Sequence, residues 1–328
     1  MTQLVKGVVK RPLVMVLYGM PGVGKSRFAS GAPHPVFIGP EDNDQLDCLK
    51  FPIVESYNQL INYFDEILSG KHKGENFKTV VLDSISGMEK IIHREICQTA
   101  GQSMAHACGG YGKAYSKAEV DLWEIREHLY KLYKADFNII IICHAIKTPI
   151  TDPILQTAYD VWEMSLHKSK TGADCNSFFT EWASAVLFMR WETYKSENEQ
   201  FAGGSGRREI LTDFRPSHLA KNRFNLPYKI PIEEEAMGSP STNWQTLRNH
   251  IIKFYKAGEK AKEPETDFEA ICHNAKGKLA MVKSSEKQKA KMIKYYKDIE
   301  ALHKKDEKKA YHAMGKLIEK LVEIIKSQ

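Results

Sequence analysis

The sequence has no long apolar run near its start, and it has few cysteines. The longest such run, Leu13–Tyr18, is far shorter than a bilayer-spanning helix, so we expect neither a signal peptide nor a membrane helix. The six cysteines among the 328 residues are scattered, without a C-x-x-C pair. This distribution excludes a disulfide-built secreted scaffold and favours a reducing compartment, the cytoplasm.

The net charge is small, but it is distributed unevenly along the chain. The formal net charge is +6 at pH 7. Residues 253–328 contain 19 lysines against 12 acidic side chains, whereas the first 252 residues contain 28 basic and 29 acidic side chains. The lysine-rich C-terminal region therefore has the charge to meet an acidic partner such as nucleic acid. The alternative is that these lysines only solvate exposed helix faces.

A complete phosphate-binding motif follows the first apolar run. Residues Gly19–Ser26 read G-x-x-x-x-G-K-S, directly after the strand predicted over Leu13–Tyr18. In this motif glycines let backbone N–H groups converge on phosphates, the Lys25 ammonium reaches the β- and γ-phosphates, and the Ser26 hydroxyl binds Mg²⁺. We therefore predict ATP and Mg²⁺ as cofactors. The residues expected to contact the nucleotide are Gly19, Pro21, Gly22, Val23, Gly24, Lys25, Ser26 and Arg27.

Short apolar strands alternate with amphipathic helices through the first half of the chain. Such alternation, with each strand nearly continuous in apolar residues, is typical of an α/β fold with a mainly parallel sheet covered on both faces. The predicted strands are 13–18, 35–38, 79–82 and 138–143, and the main predicted helices are 57–68, 88–99 and 114–135.

The pattern changes after the fourth strand. Apolar segments 185–191 and 209–212 flank a glycine-rich loop at 203–206, as they would in an antiparallel hairpin. Breaker residues at 237–240 indicate the end of the first domain. The predicted domains are an ATPase domain over residues 1–240 and a helical, basic region over residues 241–328.

The last predicted helix has one apolar face. Tyr311, Met314, Ile318, Leu321 and Ile325 recur at spacings of three and four residues. This stripe favours packing against the core or another helix over a dedicated oligomerisation zipper.

Polar residues follow the predicted strands at the points where the strands end. Asp83 comes directly after the third strand, where P-loop ATPases place the aspartate that holds Mg²⁺ through water. Glu41 follows the second strand and is the candidate base that would orient the attacking water, with Asp42 and Asp44 as competitors. Because ligands of parallel sheets bind at the carboxyl ends of the strands, we expect these groups and Ser26 to share one site.

Three further residues extend the candidate catalytic set. His144 ends the most apolar strand, from where its side chain would hydrogen-bond the γ-phosphate and report its presence to the following segment. Lys221 and Arg223 are spaced to project from one side of an extended segment. Two such cations would reach a neighbouring subunit's γ-phosphate, as an arginine finger does in trans. The alternatives are a partly exposed histidine and an exposed basic pair.

A zinc site is an alternative for one stretch of the chain. His93, Cys97, His106 and Cys108 lie close together in sequence, and His93 and Cys97 are one helical turn apart. Their spacing matches no compact zinc knuckle, which disfavours this interpretation.

The phosphate loop, Glu41, Leu82-Asp83-Ser84, His144 and Lys221-Asn222-Arg223-Phe224 occur in the order found in RecA-like ATPases. The chain resembles this family over about residues 10–235, and its very short first helix is similar to the compact phage branch. The resemblance implies a RecA-like P-loop core that hydrolyses ATP and acts on single-stranded DNA in recombination or annealing. It also implies a homo-oligomer with Lys221 and Arg223 acting in trans and, for a phage protein, the cytoplasm of a bacterial host.

The RecA pattern would place DNA contacts in two loops. They are Gly101–Lys117, with Tyr111, Lys113 and Tyr115, and Lys147–Lys170. Lysines can contact DNA phosphates, and aromatic rings can stack on bases. These contacts are suited to binding that does not depend on the DNA sequence. The sequence does not decide whether the lysine-rich region binds DNA, a single-strand DNA-binding protein or another protomer.

Two other functions stay open at this stage. One is a ring helicase or branch-migration motor, which would use the same site. The other is a nucleotide-dependent switch that binds protein partners and no DNA. A small-molecule kinase is disfavoured, because no acceptor-binding or arginine-rich lid segment is evident in the sequence.

Overall fold

A computed structural model of the chain describes residues 7–151, 156–168, 174–194, 203–235, 241–260, 267–282, 286–303 and 306–326. The chain divides after Tyr255: residues Val9–Tyr255 form one unit, and the described residues from Lys256 onward belong to a second. The predicted boundary at 237–240 lies outside the described residues and stays a prediction. Within the described ranges, no helix combines the length and the apolar character needed to cross a bilayer.

The first unit contains both strands and helices, and the described part of the second unit is helical. The strands are β1 (Val14–Gly19), β2 (Pro35–Ile38), β3 (Leu49–Lys50), β4 (Thr79–Asp83), β5 (Asn138–Thr151), β6 (Ala158–Met164), β7 (Ala185–Tyr194), β8 (Gly203–Leu211), β9 (Lys221–Asn222) and β10 (Lys229–Ile232). The helices are α1 (Lys25–Ser30), α2 (Tyr57–Leu68), α3 (Ile85–Ala100), α4 (Lys113–Lys134), α5 (Cys175–Thr180), α6 (Asn243–Lys260), α7 (Asp267–Met281), α8 (Glu286–His303) and α9 (Glu307–Lys326).

The sheet is parallel at its centre and antiparallel at one side. Within the described residues its strand order is β10-β8-β7-β1-β5-β4-β2-β3. β1 pairs in parallel with β5 and β7, and β4 pairs in parallel with β5 and β2. β8 pairs in antiparallel with β7 and β10. The predicted fold class is confirmed: an α/β fold with a mainly parallel central sheet, an antiparallel extension and a helical C-terminal region.

The alternation of side chains along the central strands builds a core on each face of the sheet. Val16 and Tyr18 of β1 face the cluster that α2, α3 and α4 cover. Met15 and Leu17 face the opposite cluster, which α1 and α6 cover. Every residue of β1 is buried, and the strand is a continuous apolar run in the sequence. Both features are expected at the centre of a parallel sheet that is covered on both faces.

The antiparallel side of the sheet differs from the prediction in two respects. β7 was expected only as half of a hairpin, but it also pairs in parallel with β1 and is therefore part of the core. The glycines at 203–206 were expected to form the hairpin loop, but they belong to β8, where Gly203 and Gly204 pair with Tyr194 and Thr193. Residues 195–202 between the two strands lie outside the described part of the chain.

The segment Lys147–Lys170 is not a continuous loop. β5 extends to Thr151 and pairs in antiparallel with β6, so that a two-stranded ribbon occupies much of the segment. Pro149 pairs with Asp160 within the ribbon, because proline is tolerated where a strand lies at the edge of a sheet. Residues 152–155 and 169–170 of the segment lie outside the described chain.

The described part of the second unit is a set of packed helices. Met314 and Leu321 of α9 are fully buried against a cluster that includes Ala275 of α7 and Ile299 of α8. The apolar stripe predicted for the last helix therefore packs within the unit, which confirms the packing interpretation. The side chain of Tyr311 lies outside the described part of the structure.

Glu89 is one of several buried carboxyl groups of the first unit. Glu89 on α3 is 8% exposed, and its side chain accepts a hydrogen bond from the backbone N–H of His167 at 2.7 Å. Burial raises the pKa of Glu89 to about 7, although that hydrogen bond and Lys90 act in the opposite direction. The folded protein therefore holds a proton at Glu89 that the unfolded chain releases near pH 4.5.

We expect Glu89→Gln to make the free energy of unfolding less dependent on pH. The pKa of Glu89 is higher in the folded protein than in the unfolded chain. The free energy of unfolding that this group contributes therefore falls by about 3 kcal/mol as pH rises from about 4.5 to 7. The amide keeps the acceptor oxygen and does not titrate. Urea unfolding should therefore show a variant more stable than the wild type at pH 8, with a smaller difference at pH 5. An equal difference at both pH values would contradict the buried-proton account.

Candidate active site

The phosphate loop joins β1 to α1 at the carboxyl end of the central parallel strands. Gly22 and Gly24 have φ values of 74° and 101°, which glycine adopts without strain and other residues rarely adopt. Gly24 is the residue before the first turn of α1. Gly19 has a different requirement: an added Cβ would lie 2.2 Å from the carbonyl oxygen of Met189 on β7. The motif glycines thus serve both the curl of the loop and its close packing on the sheet.

Lys25 is a buried cation that points back into the phosphate loop. Lys25 is only 6% exposed, and its Nζ donates hydrogen bonds to the carbonyl oxygens of Gly19 and Met20, each at 3.0 Å. Burial lowers the pKa of Lys25, and the nearby carboxylate of Asp83 acts against this shift. Among the described residues Lys25 forms no direct ion pair. An ammonium held by carbonyl oxygens alone is suited to accept a phosphate.

Ser26 and Asp83 meet at the base of the cleft. Ser26 Oγ donates a hydrogen bond to Asp83 Oδ2 at 2.5 Å, and Asp83 at the end of β4 is 2% exposed. Burial raises the pKa of Asp83, while hydrogen bonds from Ser26 and Asn43 lower it. Hydroxyl and carboxylate oxygens beside a phosphate loop are the donors that Mg²⁺ prefers, since it takes one or two protein oxygens together with phosphate oxygens and water. The two predicted metal ligands are therefore together, and they fit this ion.

Glu41 and His144 form the opposite wall of the cleft. Glu41 Oε1 accepts hydrogen bonds from Ser84 Oγ at 3.0 Å and from His144 Nε2 at 3.4 Å. The hydrogen bond from His144 lowers the pKa of Glu41 more than the bond from Ser84 does, and partial burial opposes both. The backbone N–H of His144 donates to Ser86 Oγ at 3.1 Å, and its buried Nδ1 has no hydrogen-bond partner in the described chain. Glu41 is thus held as a carboxylate.

A single cavity of about 520 Å³ connects these groups, which is a size typical of small-molecule sites. Asp42, one competitor of Glu41, lines the cavity, whereas Asp44 does not and lies 3.7 Å from Lys50 Nζ. The residues around the cavity are Pro21, Gly22, Gly24, Lys25, Ser26, Arg27, Glu41, Asp42, Asn43, Gln45, Leu46, Asp83, His144 and Arg208.

Lys221 and Arg223 do not line this cavity in their own chain. β9 pairs with the beginning of β7, where Lys221 lies opposite Val186, at the edge of the sheet away from the phosphate loop. Lys221 Nζ donates to the carbonyl oxygens of Thr180 and Glu181, at 2.9 and 2.8 Å. Their predicted role in trans stays a prediction.

One residue of the alternative zinc site, His93, takes part in ring packing. His93 contacts Tyr115 edge-on, with ring centroids 5.7 Å apart, and Tyr115 stacks on His167 at 4.2 Å. No three His, Cys, Asp or Glu side chains within the described ranges are grouped so that they could hold a metal ion. Tyr115, expected as a free ring for a base, is therefore packed, whereas Tyr111 is fully exposed.

Four residues that border the cleft were not predicted from the sequence: Asn43, Gln45, Leu46 and Arg208. Asn43 is 8% exposed and hydrogen-bonds Asp83. Arg208 on β8 places Nη1 2.7 Å from the position that a Cβ on Gly24 would take, and its guanidinium lies 5.5 Å from the ring centroid of Trp191. No local signal marks Arg208, because only the pairing of β8 with β7 and of β7 with β1 brings it to the loop.

We expect the two loop glycines to respond differently to alanine. In Gly19→Ala the new methyl group would meet backbone, which cannot move aside without shifting β7, so stability should fall by about 3 kcal/mol. In Gly22→Ala the new methyl group would enter open space, and only the strain of a positive φ remains. We expect this strain to lower the free energy of unfolding by about 1 kcal/mol. Urea unfolding without nucleotide measures both losses. Equal losses would show that β1 and β7 are not in close contact at Gly19.

Comparison with known proteins agrees with this geometry. No curated protein matches the chain significantly. The family model described as AAA domain matches residues 11–224, which is more than half of the chain and includes the phosphate loop, Glu41, Asp83 and His144. The chain therefore belongs to the AAA domain family and carries a nucleotide-binding P-loop ATPase domain.

Proposed function

We propose that this protein is a RecA-like, Mg²⁺-dependent ATPase whose hydrolysis is coupled to the binding of single-stranded DNA, in recombination or strand annealing. The observation that carries the proposal is the convergence of Lys25, the Ser26–Asp83 pair and the Glu41–His144 pair on one cleft. The family accounts for the ATPase domain. The antiparallel strands that follow β7, together with the order of the sequence motifs, support the RecA-like and phage-type assignment within it.

Binding of the triphosphate is assigned to the phosphate loop. Lys25 Nζ would exchange the carbonyl oxygens of Gly19 and Met20 for β- and γ-phosphate oxygens, and the loop N–H groups would complete the cradle. Ser26 Oγ and the Asp83 carboxylate would hold Mg²⁺, which neutralises phosphate charge when it is bound. Arg27 borders the same cleft, and its Nε lies 3.7 Å from a carboxylate oxygen of Glu235.

Activation of water is assigned to Glu41. The lowered pKa keeps the carboxylate ionised at neutral pH, so that it can orient a water molecule and accept its proton as the bond to the γ-phosphorus forms and the bond to ADP breaks. His144 holds Glu41 in place through Nε2. Since His144 borders the same cleft, the arrival or loss of the γ-phosphate would change the Glu41–His144 contact.

A series of contacts leads from His144 to one of the predicted DNA-binding segments. The carbonyl oxygen of His144 accepts a hydrogen bond from the N–H of Ser165 at 2.8 Å. Two residues later, His167 stacks on Tyr115, at the start of α4. The neighbouring Tyr111 is fully exposed. These contacts support a coupling between the nucleotide and an exposed ring that could stack on a base.

Three exposed lysines that could meet DNA phosphates lie on α8. Lys147 pairs with Asp160 at 2.7 Å, and Lys168 lies within 4 Å of two carboxylates, so the ribbon that β5 and β6 form offers little free positive charge. On α8, by contrast, the exposed residues Lys291, Lys294 and Lys297 have no ion-pair partner within the described chain. The ring of Tyr295, 48% exposed, lies among them. We propose that this helix supplies phosphate contacts.

The proposed finger requires a homo-oligomer. Because Lys221 and Arg223 lie at the edge of the sheet opposite to their own cleft, they could contact only the phosphates bound by another subunit. Lys221 would have to leave the carbonyl oxygens of Thr180 and Glu181 to do so. A ring helicase or branch-migration motor would use the same finger, and a single-strand DNA-binding protein is a further candidate partner.

The second candidate function is a nucleotide-dependent switch that binds a protein. The ribbon carries ion-paired lysines, and Ile146 and Ile150 of β5 are 47% and 40% exposed on it. Exposed aliphatic side chains beside neutralised charges favour a protein partner over a polyanion at this surface.

We expect single-stranded DNA to stimulate ATP hydrolysis and the stimulation to fade as salt rises, because phosphate contacts release counterions. Lys25→Ala should abolish hydrolysis and keep DNA binding. Replacing Lys291, Lys294 and Lys297 by glutamine should weaken DNA binding and reduce its salt dependence, with hydrolysis in the absence of DNA unchanged. Steady-state rates and fluorescence anisotropy with an oligonucleotide measure these effects. Hydrolysis without DNA binding would favour the protein-binding switch.

We expect Glu41→Gln to lower kcat by about 100- to 1,000-fold with little change in nucleotide affinity, because the amide cannot accept the proton of water. Asp44→Asn is the matched control, since Asp44 does not line the cavity that contains Lys25 and Ser26, and its rate should stay close to that of the wild type. In His144→Ala the pKa of Glu41 should rise, so the acidic limb of the pH–rate profile should move to higher pH. A loss in Asp44→Asn as large as that in Glu41→Gln would reassign the base.

A further inference from the structure

One cation beside the phosphate loop has no part in the roles assigned so far. Arg208 projects from β8, an antiparallel strand, and borders the cavity that also contains Lys25 and Ser26. We propose that Arg208 binds the phosphate chain of the nucleotide in cis, from the same chain that holds it. This inference rests on the proposed ATP-binding function of the cleft and adds a residue to its binding machinery.

The position of Arg208 is set by strand pairing. Arg208 lies opposite Trp191 of β7 on one side and opposite Ile232 of β10 on the other. β7 in turn pairs with β1, which leads directly into the phosphate loop. The guanidinium reaches the loop at Gly24. Its Nη1 lies 2.7 Å from the position that the Cβ of any other residue at 24 would occupy. Glycine at this position thus leaves room for the guanidinium as well as permitting the positive φ.

Within the described part of the chain Arg208 belongs to no ion pair, unlike its neighbours. Arg190 and Lys229 both pair with Glu209, at 2.8 and 3.1 Å. Glu233 and Glu234 border an adjacent cavity together with Arg208, but no carboxylate of the described residues lies within 4 Å of its guanidinium. A cation that lacks a carboxylate and lies against a phosphate loop is complementary to a polyanion.

The guanidinium is also held in place before any ligand arrives. It lies 5.5 Å from the ring centroid of Trp191, a cation–π distance, and the ring is 45% exposed. A planar guanidinium fixed in this way can offer two parallel N–H donors to phosphate oxygens, which a lysine at the same place cannot. A purely structural role would require only the contact with Trp191 and would not involve the nucleotide.

The test compares nucleotide affinity in the full chain for Arg208→Ala, Arg208→Lys and a matched control, Arg207→Ala. Arg207 is adjacent on β8 and exposed, and it projects from the opposite face of the strand. Fluorescent analogues of ATP and ADP, with Mg²⁺, are the probes. We expect Arg208→Ala to weaken binding of both by about 10- to 100-fold, as for the loss of charge-assisted hydrogen bonds. Arg208→Lys should recover part of this loss, and Arg207→Ala should stay within about twofold of the wild type.

A second variant separates binding from packing. Trp191→Ala should weaken nucleotide binding less than Arg208→Ala does, and it should add little in the Arg208→Ala background, because both changes act on one contact. A loss for ATP alone would also support the proposal and would place the contact on the γ-phosphate. Normal affinity of Arg208→Ala for both nucleotides, together with failure of Lys25→Ala to bind, would overturn this inference and leave the proposed function intact. Failure of the wild type to bind either probe would instead remove the proposed function.

Discussion

The parallel register of β1 with β5 and β7 is the constraint on which the site depends. In this register Gly19, the first residue of the phosphate loop, lies opposite His144 on one side and Met189 on the other. The parallel pairing of β4 with β5 places Asp83, at the end of β4, opposite Ile142, two residues before His144. Groups far apart in sequence thus reach one edge of the sheet, where a parallel arrangement leaves a crevice for a ligand.

Burial decides the electrostatics of the cleft. It lowers the pKa of Lys25 and raises the pKa of Asp83, so both groups are shifted toward their neutral forms. Glu41 is shifted in the opposite direction, because the hydrogen bond from His144 outweighs its partial burial. Two cations, Lys25 and Arg208, and two carboxylates, Asp83 and Glu41, border the same cavity. Cations and carboxylates at one site suit a ligand that brings its own negative charge and a metal ion.

The helical second unit has a different physical character. Its interior is a small apolar cluster among α7, α8 and α9, and its lysines lie outside that cluster. Some of these lysines have acidic partners within the unit, such as Lys276 with Glu300 at 3.4 Å and Lys309 with Asp306 at 3.0 Å. The exposed lysines of α8 have no such partner within the described residues. The excess positive charge is shared among the helices: α8 and α9 each carry five lysines against three acidic residues.

The sequence by itself determined the features that depend on neighbouring residues. The phosphate loop, Asp83 and Glu41 were predictable because each follows a short apolar strand, and near-continuous apolar strands indicate a parallel sheet. Only the tertiary structure decided which strands pair. It brought β7 into the parallel core, continued β5 past Pro149 into a ribbon, moved Lys221 and Arg223 away from their own cleft, and placed Arg208 at the phosphate loop. Strand pairing joins residues that are distant along the chain, so no local pattern of apolar or charged residues specifies it.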